Sequence, residues 1–486
     1  MKALRRLLKW TLGAATAVVI VFLTLFFARA FAARRFPPLK PWHHSLSAEI
    51  RASEITETWT LADYLRREDE VFRQMNETVL PKAAPEDRNV SNRYWPDSPI
   101  NPERFPKNWN RTYELVPEGE IRGGALLIHG LTDSPYSVKA EAELLRSLGY
   151  YALCLRMPGH GTVPGALTEA NWQDWRAAVR LGARHVRRRA GAKTPLVLVG
   201  YSNGGALSVQ YAIDALYDPK LPRPDRVLLF SPMIGVSPFA GLARLVTAIG
   251  AIPYFERSRW MDVLPEYIPF KYDSFPAHAG LQTGELTAEI ATAVQHAAVS
   301  GKIRDLAPIL AFVSLVDSTV ITPATFDRLF AYLPENGSEL VLFDLNRYEF
   351  VAPFLKTNWD RQVSALFADD VRRYRLTLVT NASPSTRDTV ARVDNPHQDE
   401  PDVIPLGIAW PPQIFSLSHL AVPFRRDDPL FGIDPDMSVS YGPRLGLLAP
   451  RGEKGVLSVP TDQFMRLNCN PFFPYVEERI KAFLAK

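Results

Sequence analysis

The sequence has little cysteine and little excess charge, and each shortage argues against a class of protein. Two cysteines in 486 residues are too few for a fold held by a disulfide framework. Fifty-six Lys and Arg against 52 Asp and Glu leave a net charge of only +4, so we expect no nucleic-acid partner. No internal period suggests a solenoid. With 47% apolar residues, the composition instead predicts a globular protein with a sizeable core.

An uncharged stretch near the N terminus predicts a membrane segment. It runs from Trp10 to Ala28, which is close to the roughly 20 residues that a helix needs to cross a bilayer. A compact basic cluster precedes the stretch and favours an N-terminus-inside orientation. We therefore expect residues 1–35 to be a single-pass membrane anchor, with the rest of the chain on the exported side. A cleaved secretory signal is the alternative, because Ala30-Phe31-Ala32 offers an A-x-A site.

Residues 36–111 are rich in proline, asparagine and charge, and they contain one clear amphipathic helix. Apolar side chains from Leu61 to Val79 fall on one stripe. Thr60, followed three residues later by Asp63, offers a cap for this helix. We expect the region to be a spacer whose helix docks on a body formed by residues 112–486.

Strand-like and helix-like segments alternate in residues 112–486 and predict an α/β fold. Short, continuously apolar runs that end in turn residues are typical of strands buried on both faces of a parallel sheet. Such runs occupy residues 123–129, 150–155, 195–199, 226–230, 309–316 and 339–343. Helix-length segments between them predict a mostly parallel sheet with helices on both faces. The stretch 237–301 interrupts this alternation of strands and helices, and it is long enough to be a lid over the strand ends.

The sharpest local motif is Gly200-Tyr201-Ser202-Asn203-Gly204, between a predicted strand and a predicted helix. In a G-x-S-x-G turn the serine occupies a strained bend, and small flanking residues let the strand and the helix approach each other. This turn puts the Ser202 hydroxyl at the carboxyl end of the sheet, where a substrate can reach it. The motif therefore predicts a nucleophile, and a purely structural turn is the alternative.

Two glycine-containing loops follow other predicted strands. The tetrahedral intermediate of acyl transfer needs two backbone donors, one just after the nucleophile and one from an earlier loop. The loop HGLTDSP at residues 129–135 supplies the second, so the N–H groups of Leu131 and Asn203 are the candidates for the oxyanion hole. The loop RMPGHGT at residues 156–162 contains His160, which we interpret as a structural histidine rather than a catalytic base.

The motifs HGLTDSPYS, RMPGHGT and GYSNGG together resemble the α/β-hydrolase superfamily. The resemblance is to the serine hydrolases that include monoacylglycerol lipases, lysophospholipases and serine aminopeptidases. It covers roughly residues 112–486, although the motifs are dense only in residues 123–235. It implies an α/β-hydrolase fold, a Ser–Asp–His triad in that order along the chain, and a helical cap inserted at residues 237–301. Such a triad needs no cofactor and no metal.

The acid and the histidine of the implied triad must follow the nucleophile in the chain. The strand at 309–316 runs directly into Asp317, where a buried carboxylate would orient the imidazole. Asp344, after the next strand, is the alternative acid. The loop after that strand contains no histidine, and only His397 and His419 remain downstream. We predict His419, because His397 lies in a polar loop whereas the apolar neighbours of His419 suit a partly desolvated site.

This assignment makes residues 348–412 an extra insertion, which we expect to be a surface excursion that returns the chain to the active-site edge. Within it, the run RYRLTLVT at residues 373–380 is a candidate for an extra strand. The residues then predict a membrane-anchored serine hydrolase that cleaves carboxylic esters through an acyl-enzyme on Ser202. The expected partners are an ester or lipid-like small molecule and the membrane. An acyltransferase using the same triad is one alternative. A non-catalytic binding protein on a hydrolase scaffold is the other, and it applies if His419 lies outside the site.

Overall fold

The computed structural model describes residues 2–235, 253–317, 322–348, 372–412, 414–447 and 465–485. The strands are β1 (Tyr113–Leu115), β2 (Gly123–Ile128), β3 (Tyr150–Leu155), β4 (Leu196–Tyr201), β5 (Arg226–Phe230), β6 (Trp260–Asp262), β7 (Phe275–Pro276), β8 (Ile309–Ser314), β9 (Glu339–Phe343), β10 (Arg375–Asn381), β11 (Asp388–Asp394), β12 (Asp402–Ala409), β13 (Ile414–Leu417) and β14 (Met465–Leu467). The helices are α1 (Lys2–Ala33), α2 (Leu61–Thr78), α3 (Lys139–Ser147), α4 (Trp172–Ala190), α5 (Asn203–Tyr217), α6 (Ala277–Val299), α7 (Thr322–Arg328) and α8 (Phe473–Leu484).

A ten-stranded sheet organises the described residues, in the order β1-β3-β2-β4-β5-β8-β9-β10-β11-β12. The strands from β3 to β10 pair in parallel, whereas β1 at one edge and β11 and β12 at the other pair antiparallel. The six predicted strands are present, with ends within two residues of the predicted bounds. The predicted α/β class with a mostly parallel sheet is therefore confirmed.

The sheet is buried on both faces, which explains its continuously apolar central strands. Along β2, Leu126 and Ile128 join a core that includes side chains of α2, α4, α5 and α6. The intervening Ala125 and Leu127 join a second core, which includes side chains of α3 and α8. Since side chains alternate between the faces of a strand, a sheet covered on both sides needs apolar residues at every position.

Residues 372–412 extend this sheet, so the described part of the predicted excursion forms strands at one edge of the sheet, and the run RYRLTLVT at residues 373–380 forms most of β10. β10 lies parallel to β9, and β11 and β12 follow as an antiparallel pair. β12 is largely exposed to solvent and β11 carries charged residues, because edge strands need not be apolar on both faces. Residues 349–371 of the predicted insertion lie outside the described residues.

Residues 36–111 pack against the body of the protein. α2 begins at Thr60, whose hydroxyl accepts from the Asp63 N–H while the Asp63 carboxylate accepts from the Thr60 N–H. Its side chains Tyr64, Val71 and Phe72 are buried in the same core as β2. The region is thus part of the folded body as well as a connection to α1.

A buried ion cluster also joins this region to the body. The guanidinium of Arg156, after β3, donates to Glu49 Oε1 at 2.9 Å and lies 3.5 Å from Glu68 Oε2. Burial raises the pKa of the Glu68 carboxyl, and the charge of Arg156 opposes that rise. Because an unpaired buried charge is strongly destabilising, Arg156 and the two carboxylates depend on one another.

The predicted membrane segment lies within α1. Large apolar side chains of α1 are exposed, among them those of Trp10, Leu12, Ile20, Val21, Phe27 and Phe31. Nevertheless, none of the helices in the described ranges combines the length and the apolar character that crossing a bilayer requires. The structure therefore does not support the predicted transmembrane helix.

The predicted cap at 237–301 is described from residue 253 onward, and residues 237–252 lie outside the described residues. A 3-10 helix over Pro253–Arg259 is followed by the antiparallel pair β6 and β7. The long helix α6 then buries its apolar face in the core beside α5. The part before α6, which we call the cap segment (residues 260–276), reaches the loop that follows β2, as shown below.

Candidate active site

Ser202 lies in a sharp turn between β4 and α5, with φ of 53° and ψ of −115°. Its N–H donates to the Phe230 carbonyl oxygen of β5 at 2.9 Å, which ties the turn to the neighbouring strand. A Cβ atom on Gly200 would lie 2.3 Å from the Gly204 oxygen, and one on Gly204 would lie 2.1 Å from the Ile128 oxygen. Only glycine fits at these two close approaches, so the motif residues permit the strained turn that carries the hydroxyl.

The structure brings together three polar side chains at the carboxyl end of the sheet. The Ser202 Oγ lies 3.0 Å from His419 Nε2, and the His419 Nδ1 lies 2.6 Å from Asp317 Oδ2. The Asp317 side chain is fully buried, and that of His419 is 12% exposed. With the Nδ1 proton donated to the carboxylate, the Nε2 lone pair is free to accept the serine proton.

Strand β13 delivers His419 to this position. Asn346, in the loop after β9, donates through its backbone N–H and its side-chain amide to two carbonyl oxygens of β13, each at 2.7 Å. The Ser314 hydroxyl at the end of β8 donates to the Leu417 oxygen at 2.9 Å. The histidine therefore reaches the site beside the loop that follows β9, although β10, β11 and β12 lie between β9 and β13 in the chain.

The two alternative residues of the triad are engaged elsewhere. The buried Asp344 carboxylate accepts from the Arg347 guanidinium and from the Thr380 hydroxyl, the latter at 2.8 Å. His397 is exposed and lies 3.2 Å from the Glu335 carboxylate. The geometry thus favours Asp317 over Asp344 and His419 over His397 as partners of the serine.

The two predicted oxyanion donors lie at the same edge of the sheet as Ser202. Asn203 is the first residue of α5, so its N–H has no partner within that helix. Leu131 follows β2 in a turn that is closed by the Asp133 N–H donating to the Gly130 oxygen at 3.3 Å. β2 and β4 are neighbours in the sheet, so the loops that follow them lie side by side.

Two buried histidines brace the loops after β2 and β3. His129 donates from Nδ1 to the Gly130 oxygen at 2.9 Å and accepts at Nε2 from the Met157 N–H at 3.0 Å. His160 donates from Nδ1 to the Pro158 oxygen at 3.0 Å. Burial lowers the pKa of His129 to about 3 and the pKa of His160 well below its usual value. Both imidazoles are therefore neutral and hydrogen-bonded, which fits a structural role.

Sequence reasoning missed Lys271 and Tyr272, which reach the loop after β2 from the cap segment. The Tyr272 N–H donates to the Thr132 carbonyl oxygen at 2.8 Å. The Lys271 ammonium donates to the Thr132 hydroxyl at 2.6 Å. No motif marks either residue, because both come from an irregular segment that is distant from Thr132 along the chain.

Part of the chain is similar to known proteins. Residues 119–266 match the family model described as serine aminopeptidase, S33. A thermostable monoacylglycerol lipase from Bacillus sp. (strain H-257) is 26% identical over 219 residues, which are 45% of this chain and 79% of that protein.

Two solved lipases are also similar. The monoacylglycerol lipase of Paleococcus ferrophilus is 20% identical, with 48% of this chain and 89% of that chain covered and a TM-score of 0.35. A soluble variant of the monoglyceride lipase of Saccharomyces cerevisiae is 15% identical, with 48% and 82% covered and a TM-score of 0.36. The family match, the mostly parallel sheet and the serine turn together support an α/β-hydrolase fold for this chain, which resembles serine aminopeptidases and monoacylglycerol lipases.

Proposed function

We propose that the protein is a serine hydrolase that cleaves carboxylic esters through an acyl-enzyme on Ser202. The observation that carries this proposal is the continuous set of contacts from the Ser202 hydroxyl through His419 to Asp317. A serine hydroxyl alone is a weak nucleophile, and an imidazole within hydrogen-bond reach activates it by accepting its proton. The buried carboxylate orients the imidazole and stabilises the cation that forms.

The reaction follows from these positions. As the Ser202 oxygen attacks the ester carbonyl, its proton passes to His419 Nε2 and negative charge develops on the carbonyl oxygen. The N–H groups of Leu131 and Asn203 stabilise that charge. The alcohol then leaves with the proton from His419, and the acyl group stays on the serine. A water molecule deprotonated by His419 releases the carboxylic acid and restores the hydroxyl.

An ester with an acyl chain is the substrate class that we propose, and the similarity to a monoacylglycerol lipase supports it. Purified protein should release fatty acid from monoacylglycerols and p-nitrophenol from p-nitrophenyl esters. Product analysis by mass spectrometry, with and without glycerol as an acceptor, separates hydrolysis from acyl transfer. New esters of glycerol in place of free acid would show a transferase, and no turnover of any ester would contradict both activities.

The geometry also bears on the non-catalytic alternative. That alternative depended on His419 lying outside the site, and its 3.0 Å contact with Ser202 argues against it. A binding protein has no need to keep a serine, an imidazole and a buried carboxylate in this arrangement.

We also propose that α1 holds the protein on a membrane, with the catalytic body on the exported side. The uncharged stretch from Trp10 to Ala28 and the exposed apolar side chains of α1 support this. The protein should stay with membranes in high salt and be released by detergent, since apolar burial is insensitive to salt screening. A mature N terminus at or near Ala33, found by peptide sequencing, would show that the segment is cleaved and would refute the anchor.

A further inference from the structure

Thr132, one residue after the candidate oxyanion donor Leu131, has an unusual backbone conformation. Its φ is +65°, in the left-handed region that β-branched residues avoid. It occupies the third position of the turn that the Asp133 N–H closes onto Gly130, where a type II turn favours glycine. A conformation of this kind is strained and persists only where the surrounding structure imposes it.

The cap segment supplies two hydrogen bonds that impose this conformation. The backbone oxygen of Thr132 accepts from the Tyr272 N–H at 2.8 Å, and its hydroxyl accepts from the Lys271 ammonium at 2.6 Å. The same ammonium lies 3.6 Å from the buried Asp133 carboxylate. The lysine therefore contacts two consecutive residues of the turn that contains Leu131.

The cap segment is itself firmly held at this point. The buried Arg93 guanidinium donates to the carbonyl oxygens of Ile268 and Lys271 at 3.1 and 3.0 Å. The Tyr272 hydroxyl accepts from the Thr162 N–H at 2.7 Å. Lys271 thus projects from a backbone fixed on both sides, and its ammonium has two partners in the turn, the Thr132 hydroxyl and the Asp133 carboxylate.

We propose that Lys271 is a positioning residue, whose bond to Thr132 holds the turn so that the Leu131 N–H faces the developing oxyanion. This inference rests on the proposed function of the site. Stabilisation of an oxyanion depends on donors placed where the charge develops, so a loosened turn weakens binding of the transition state. Ground-state binding of the ester does not use this bond, so we expect its loss to lower kcat and to leave KM nearly unchanged.

The first test replaces the donor. Lys271→Met keeps the length and the apolar stem of the side chain but removes the ammonium. We expect kcat for p-nitrophenyl butyrate to fall about 10- to 100-fold, less than the roughly 10²–10³ lost when an oxyanion donor is deleted. We expect KM to change less than about 2-fold, the pattern of an interaction used only in the transition state. Affinity for a trifluoromethyl ketone, which forms an oxyanion on the serine, should fall in parallel with kcat.

The second test replaces the acceptor. Thr132→Val keeps the shape of the side chain without its hydroxyl and should reproduce the loss seen with Lys271→Met. Thr132→Ser keeps the hydroxyl and should stay close to wild type, which makes it the matched control. The double variant Lys271→Met/Thr132→Val should lose no more than Lys271→Met alone, because the lysine substitution already removes the bond to Thr132 together with the ion pair to Asp133. Thermal unfolding midpoints of the two Thr132 variants, measured alongside, should stay near that of wild type, whereas Lys271→Met also removes the cation beside the buried Asp133 and should lower the midpoint.

The outcomes separate this inference from the proposed function. A raised KM with unchanged kcat in Lys271→Met would overturn the inference, because the lysine would then contact the substrate. Unchanged kinetics and ketone affinity would overturn it too, as would a loss of kcat in Thr132→Val that tracks a lowered unfolding midpoint. A wild-type protein without any ester hydrolysis would instead refute the proposed function.

Discussion

Replacing Ser202 with alanine is expected to abolish ester hydrolysis while leaving the protein folded. The substitution removes the oxygen that attacks the ester, and losses of about 10⁴-fold or more in kcat are usual when such a nucleophile is removed. Ser202 is only 4% exposed, but alanine keeps its Cβ and removes only the hydroxyl, so little packing is lost. The strained turn and the close contacts of its glycines do not involve the hydroxyl.

The measurement is the rate of p-nitrophenyl ester hydrolysis by wild type and by Ser202→Ala, with circular dichroism to verify the fold. Ser383→Ala is the matched control, since Ser383 is a partly exposed loop serine outside the site. The control should retain wild-type activity. Full residual hydrolysis by Ser202→Ala would contradict the assignment of the nucleophile.

Replacing His419 with alanine should cost nearly as much activity as Ser202→Ala. Without the imidazole, the Ser202 hydroxyl has no acceptor for its proton, and the proton needed by the leaving alcohol is missing. The double variant Ser202→Ala/His419→Ala should lose little more than either single variant, because the members of a triad act as one unit. Steady-state kinetics of the three variants test this expectation.

His397→Ala serves as the control for this prediction. The His397 side chain is exposed and pairs with Glu335 on the surface, and such pairs contribute little to stability. The variant should keep nearly full activity. If His397→Ala were inactive and His419→Ala active, the assignment of the base would be wrong.

The sequence predicted the centre of the fold because burial on both faces leaves a pattern that needs no other information. Turns bound the six central strands, and these strands are apolar along most of their length, with charged residues only at the first positions of two of them, Arg226 and Glu339. The capping residues Thr60 and Asp63 likewise predicted the start of α2 from local chemistry alone. The turn at Ser202 was predictable for the same reason, since its glycines are required by contacts within a few residues and with the adjacent strand.

The outer strands and the path of the chain to His419 depend on contacts that no local pattern records. β11 and β12 contain charged and exposed residues, so they do not stand out as strands. His419 was selected by elimination, and its position relies on Asn346 and Ser314, which hold β13 from other parts of the sheet. The contact of Lys271 with Thr132 was also not predictable from the sequence, because it forms only when the cap segment packs against the turn after β2.

Reaction with a fluorophosphonate probe, followed by mapping of the modified peptide by mass spectrometry, tests the central claim most directly. Only a serine activated by a neighbouring base reacts rapidly with such a probe. We expect one rapidly modified residue, Ser202, with labelling abolished in Ser202→Ala and strongly slowed in His419→Ala. Rapid labelling of a different serine, or no labelling of folded wild-type protein, would contradict the assignment of Ser202, His419 and Asp317 as a catalytic unit.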